Sequence, residues 1–196
     1  GKLRPSIKNI GVYPRPAQKE IPIWLAAGGT PASAVRAGKL GLPLALAIIG
    51  GMPEQFQGFV QLYRNSAINA GNESKMRVAI NSIGYIAEDS QQAADECYPF
   101  YAEVMTRIGK ERGWPPSTRA QFDATRSERG ALLVGSPQQI IDKILFEYEL
   151  FKQDRFLLQM GIGRLPHAKL MKAIELLGTK VAPVVRSVSR KDAKKN

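Results

Sequence analysis

Six consecutive residues, Gly28-Gly29-Thr30-Pro31-Ala32-Ser33, carry the sharpest chemistry in the chain. Glycines followed by Thr-Pro mark a place where a strand hands over to a helix: Thr is a capping residue and Pro suits the first helical position. The first turn of a helix leaves N–H groups without partners, and the helix dipole adds partial positive charge there. A phosphate fits such a site. Gly29 lets a ligand approach the backbone closely because no side chain stands in the way. Thr30 and Ser33 lie one turn apart, so both hydroxyls can face one anion. The same residues also suit a plain capped helix, and Gly-Gly-Thr-Pro alone does not separate the two.

Other reactive residues are sparse. Arg36, one turn beyond Ser33, reads as solvent-facing. Gly135-Ser136-Pro137 is followed by Gln139, a capping box that satisfies its own terminal amides, so a helix start without a ligand is expected there. His167 is the one histidine. It lies at a strand-to-helix junction where an acid or base would be useful, yet no carboxylate partner accompanies it, and a structural or surface role is the competing reading. Asn81, Ser82 and Gln159 lie on or near apolar runs. They line a substrate pocket if they point inward near strand ends, or else satisfy buried backbone groups. Cys97, Met76, Met105, Met160 and the Phe100/Tyr101 pair read as packing residues. No Ser-His-Asp set or Cys-Cys metal spacing is present, so no metal is expected and no catalytic residue is assigned.

The elements that must position these groups follow from apolar runs and their punctuation. Strands are predicted over Ile21–Ala27, Leu42–Ile49, Met76–Ile86 and from Arg155 to Gly161. Helices are predicted from Thr30-Pro31 to Gly41, from Pro53 to about Ala70, from Gln91 to about Arg112 behind an Asp89-Ser90 cap, from Ser136 through Tyr148, and from about Pro166 to Leu177, resuming near Val181. Residues 114–131 are polar and irregular, and a long loop is expected. Residues 1–20 read as a connector and 187–196 as a basic disordered tail. Four strand–helix repeats with nearly continuous apolar strands imply parallel strands covered by helices. A closed eight-unit barrel typically takes about 250 residues, so four units in 196 residues amount to roughly half of one. A small doubly wound sheet is the alternative.

The formal net charge of +11 suggests a nucleic-acid partner until its location is considered. Residues 1–20 and 186–196 each hold five Lys or Arg against one acid, so most of the excess sits at the two ends. Basic ends of this kind are read as solubilising, and no nucleic-acid partner is expected. Cys97, as the single cysteine, excludes a disulfide-stapled scaffold and fits a reducing, cytoplasmic setting. The longest uncharged apolar run, Gly41–Met52, is too short to span a bilayer, and no membrane partner is expected.

The block from Ile21 to Pro43 resembles the bacterial luciferase-like flavin monooxygenases: strand, Gly-Gly-Thr-Pro-x-Ser, helix, then Gly41-Leu-Pro43 leading into the next strand. The resemblance continues through Leu46–Gly51, Val134–Pro137, Asp154–Gln159, Leu165-Pro-His167 and Glu175–Pro183, covering about Arg4 to Arg186. It implies a (β/α)8 TIM barrel of which this chain supplies strands five to eight, as a fragment or a truncated reading frame. It implies an FMN phosphate held by the Gly28–Ser33 segment, through backbone amides at Gly29 and Thr30 and the hydroxyls of Thr30 and Ser33. It also implies oxidation of a small organic substrate by reduced FMN and oxygen, with a separate flavin reductase as partner. The deazaflavin F420 is the alternative cofactor. Open sheet edges on half a barrel predict a homo-oligomer, and a non-catalytic assembly subunit is the alternative function.

Overall fold

The structure, a computed structural model, describes residues 2–193. Residues 2–24 form no regular element, and all but Trp24 are exposed. The ordered chain then runs β1 (Leu25–Ala27), α1 (Pro31–Leu40), β2 (Leu44–Ala47), α2 (Gln57–Asn69), β3 (Val78–Ile86), α3 (Ser90–Arg112), α4 (Arg119–Thr125), β4 (Leu133–Gly135), α5 (Pro137–Phe151), β5 (Arg155–Gln159), α6 (His167–Leu176) and α7 (Ala182–Ala193). All strand pairs are parallel. β1 pairs with β2 and β2 with β3, while β3 is long enough to pair with β5 through Ala79–Ile83 and with β4 through Gly84–Ile86. The result is a curved half of a (β/α)8 barrel with a short extra strand.

Strand alternation divides the sheet into two faces. Leu25, Ala27, Leu44, Leu46, Val78, Ile80 and Phe156 face the helices and pack with Ala34, Ala37, Val60, Tyr63 and Phe151. A second cluster joins Ile86, Leu133 and Val134 to Cys97, Tyr101, Phe122, Ile140, Ile144 and Leu176. The other face carries Trp24, Ala26, Ala45, Ala47, Asn81, Ile83, Leu157 and Gln159. Among the described residues no helix covers most of it, α3 reaching only the end at Ile83 and Gln159, and Leu157 is 41% exposed. It is the face that lines the inside of a barrel.

Local chemistry explains several helix ends. Gly41 terminates α1 at φ 65°, a left-handed conformation that glycine adopts without penalty. Gly38 sits where α1 crosses α2: an added Cβ would lie 2.5 Å from the Tyr63 carbonyl oxygen. The side-chain amide of Asn72 donates to the carbonyls of Gly38 and Lys39, closing the end of α1. Asp89 caps α3 by accepting from the Gln92 amide at 2.8 Å. Ser136 and Gln139 form the capping box of α5.

Four predicted features differ in the structure. β1 is shorter than Ile21–Ala27, because Ile21 and Ile23 are both 62% exposed and find no neighbouring strand. The helix predicted from Pro53 opens as a 3₁₀ turn, Pro53–Phe56, before α2. The predicted loop at 114–131 contains α4, held by a capping box of Thr118 and Gln121 and by buried Phe122. The helical backbone also runs through residues 187–193 of the predicted disordered tail. Val181 and Val185 pack against the second core cluster, and the following residues extend a helix already nucleated. Residues 194–196 of that tail lie outside the described residues. Among the described residues no helix is long and apolar enough to cross a membrane.

Candidate functional site

All four barrel strands point their carboxyl ends to one rim, and the Gly28–Ser33 segment lies on it, directly after β1. Ligands of parallel α/β sheets bind on that side. Gly28 is exposed, and a Cβ added there would meet nothing within 4 Å. Gly29 has φ 107°, a conformation L side chains rarely adopt, with the rings of Phe59 and Phe56 close behind it. Thr30 occupies the N-cap position of α1 in an extended conformation, but its side chain makes no capping bond. This corrects the expectation that Thr30 caps the helix. Pro31 has no N–H, and the Ser33 amide turns back to the Thr30 carbonyl at 3.0 Å, which satisfies the turn by backbone alone. Among the described residues, the amides of Gly29 and Thr30 make no bond to a backbone carbonyl outside the regular elements, and the hydroxyls of Thr30 and Ser33 make no hydrogen bond. Thr30 is exposed and Ser33 half-buried, and their hydroxyls stand at the helix start beside the rim. Arg36 is exposed, as expected.

The contrast with α5 is direct. Ser136 Oγ accepts from the Gln139 amide, and Gln139 Oε1 accepts from the Ser136 amide at 3.0 Å. That helix start is self-satisfied.

A cavity of about 350 Å³ opens farther along the rim, between the second half of α3 and the segment that follows β5. Its floor is Ile83 and Gln159, which are register partners on the uncovered sheet face. Val104, Ile108 and Ile162 supply apolar walls, and Glu103, Arg107 and Arg164 stand around it. α3 is brought close by Gly163 (φ 62°), where an added Cβ would lie 2.9 Å from the Phe100 carbonyl oxygen. The helix is also tied to the sheet. The Tyr85 hydroxyl donates to Glu96 at 2.6 Å, and Lys169 of α6 reaches the same carboxylate at 3.1 Å. Burial pushes the Glu96 carboxyl up, but bonds from Tyr85, Lys169 and Gln92 outweigh it and leave the pKa below its ordinary value.

Of the predicted pocket residues, the structure brings only Gln159 to this cavity. Asn81 lies deeper on the same face, and its side-chain amide donates to the Leu157 carbonyl at 3.4 Å, tying β3 to β5. Ser82 points the opposite way and is fully buried. His167 is exposed at the first turn of α6 and does not line the cavity. Glu103, Arg107 and Arg164 were not singled out by sequence: on a helix and a loop they look like ordinary solvated charges. Cys97 is buried, and burial pushes its thiol up to about 12, which suits packing and not nucleophilic attack. Among the described residues no cluster of His, Cys, Asp and Glu can hold a metal ion.

Residues 1–151 match the luciferase-like monooxygenase family. The chain belongs to that family. Solved structures share the fold. Monooxygenase RslO1 from Streptomyces bottropensis is 26% identical, with a TM-score of 0.68, covering 87% of this chain and 50% of its own. The oxygenating constituent of 3,6-diketocamphane monooxygenase from Pseudomonas putida, solved in complex with FMN, is 19% identical with a TM-score of 0.59 over 82% of this chain and 47% of its own. The coenzyme F420-dependent tetrahydromethanopterin reductase from Methanopyrus kandleri is 19% identical with a TM-score of 0.58 over 84% and 51%. The luciferase-like chain described here therefore spans about half the length of the solved structures it matches.

Proposed function

We propose that the chain forms the phosphate-binding half of a flavin-dependent oxidoreductase that oxidises a small organic substrate, with FMN as the cofactor. The observation that carries this reading is the unused donor set at the start of α1. Thr30 stands at a helix N-cap without capping, beside an open Gly28 and a left-handed Gly29. A phosphate accepts hydrogen bonds from such backbone amides and hydroxyls, and the helix dipole favours its charge.

The residues fit the group. The amides of Gly29 and Thr30 and the hydroxyls of Thr30 and Ser33 would hold the phosphate, and the flavin would supply the redox chemistry with oxygen. The protein's own contribution is placement. The rim orients one end of the cofactor, and the apolar walls beside Gln159 keep water from the substrate. F420 also carries a phosphate tail, so the same helix start would suit it. Relatives of both kinds exist, one solved with FMN and one named for its dependence on F420.

The uncovered inner face and the free edge of β5 support association with further strand–helix units or a second copy of the chain. A separate flavin reductase would supply the reduced cofactor.

The test is a fluorescence titration of the chain with FMN and with riboflavin, which lacks the phosphate. FMN is expected to bind more tightly, and the Thr30→Ala/Ser33→Ala variant is expected to lose that preference. Equal affinity for FMN and riboflavin in the unmodified chain would overturn the reading.

A further inference from the structure

We propose that the cavity between α3 and the carboxyl end of β5 binds an organic carboxylate with an apolar body, and that Arg107 and Arg164 hold the carboxylate. The inference rests on reading the carboxyl rim of the sheet as the reactive side, and it goes further by assigning a substrate class.

The cavity, about 350 Å³, lies within the size range of small-molecule sites. Its floor and walls are mostly apolar: Ile83, Val104, Ile108 and Ile162. Gln159 is a neutral polar group at the floor, able both to donate and to accept hydrogen bonds. Arg107 comes from α3 and Arg164 from the segment after β5, so two exposed arginines remote in sequence line one cavity. Neither has a carboxylate within 4.0 Å among the described residues, whereas Arg119, Arg126 and Arg129 are all paired. A guanidinium fork matches a carboxylate with two parallel N–H···O bonds. An apolar chamber with unpaired arginines at its mouth therefore selects a molecule that is apolar at one end and anionic at the other. Glu103 stands at the same opening and opposes an anion, so its removal should tighten binding. None of the Gly28–Ser33 residues lines the cavity, so carboxylate and cofactor phosphate occupy separate places.

The probes are octanoate and 1-octanol, titrated calorimetrically into the chain, with FMN titrated in parallel. Octanoate is expected to bind more tightly than octanol. Arg107→Ala/Arg164→Ala should weaken octanoate about tenfold and leave octanol unchanged, and Glu103→Gln should tighten octanoate about twofold. All three side chains are exposed, so the variants should fold, and unchanged circular dichroism and melting temperature check this. Equal affinity for the two probes, no octanoate binding, or an octanoate affinity unmoved by the double variant would overturn the proposal. A fall in FMN affinity in the arginine variant would also overturn it, since the arginines would then hold the cofactor. If FMN shows no preference over riboflavin while octanoate behaves as expected, the phosphate reading fails and the carboxylate site stands.

Discussion

The guanidinium of Arg155 lies 5.0 Å from the centre of the Trp24 ring, so a residue at the start of the last barrel strand meets one just ahead of the first. Two strands separate β1 from β5 in the sheet, and only strong curvature brings such residues together. Both project from the uncovered face. Ala79, the register partner of Arg155 on that face, is only 1% exposed. The pair closes the lower end of the half-barrel, opposite the carboxyl rim.

Arg155→Ala should therefore loosen the curvature without unfolding the chain. A cation–π contact of this exposure is worth about 0.5–1 kcal/mol. In a Trp114→Phe background, the emission of Trp24 should shift to longer wavelength as its ring becomes wetter. An unchanged spectrum would show that the contact does not persist in solution.

Thr30 and Ser136 occupy equivalent helix starts with opposite consequences. Ser136→Ala removes a capping bond and should cost about 1 kcal/mol of stability. Thr30→Ala removes none, so its melting temperature should stay near that of the unmodified chain. Its cost should appear in FMN affinity, where each lost charge-assisted bond is worth about 1.5–3 kcal/mol. Thermal melts and FMN titrations of the two variants separate a helix cap from a ligand site.

Gly38→Ala should be strongly destabilising. The new methyl would lie 2.5 Å from the Tyr63 carbonyl oxygen and 2.7 Å from the Ala67 amide nitrogen, both backbone atoms that cannot step aside. Overpacking of this kind costs about 1–3 kcal/mol. Urea unfolding would register it, and because α1 must move away from α2, FMN affinity should fall with it.

Lys143 and Glu147, one turn apart on α5, are both buried. The Lys143 ammonium donates to the carbonyls of Ser127 and Leu132 at 2.7 and 2.8 Å, while neither oxygen of Glu147 finds a partner among the described residues. Burial raises the Glu147 carboxyl to about 8, with Lys143 opposing, and burial lowers the Lys143 ammonium to about 8. Between the ordinary carboxyl value of 4.5 and about 8, the folded chain keeps a proton that the unfolded chain releases, so stability falls as pH rises. Above about 8 the unfolded chain binds a proton that folded Lys143 lacks, so stability rises again toward 10.5. A stability minimum near pH 8 is expected. Glu147→Gln should flatten the acidic limb, and denaturant melts from pH 5 to 8 would reveal it.

The strand–helix repeat was legible because each apolar run is closed by glycine or followed by a capping residue. Gly41, Asp89 and the Ser136/Gln139 box act in the structure as their types suggest. β4 is not legible in the sequence because three residues are too few to show a period, and α4 is not because Phe122 is its one buried side chain. The Gly28–Ser33 segment could be read as a candidate site. Whether Thr30 capped its helix could not, since that depends on where the preceding glycines turn the chain. The Arg107–Arg164 opening was illegible, because only the fold brings α3 over the end of β5.

The seating of Gly38 against α2, together with the Asn72 clasp on the last carbonyls of α1, has a consequence for recognition. A helix fastened at its far end and along its flank cannot pivot at its near end. The start of α1 thus stays in place, and a phosphate bound there as proposed would not have to immobilise the helix. A guest meeting it loses its own freedom but does not have to freeze that of the host, and the affinity should owe as much to this stiffness as to the bonds themselves.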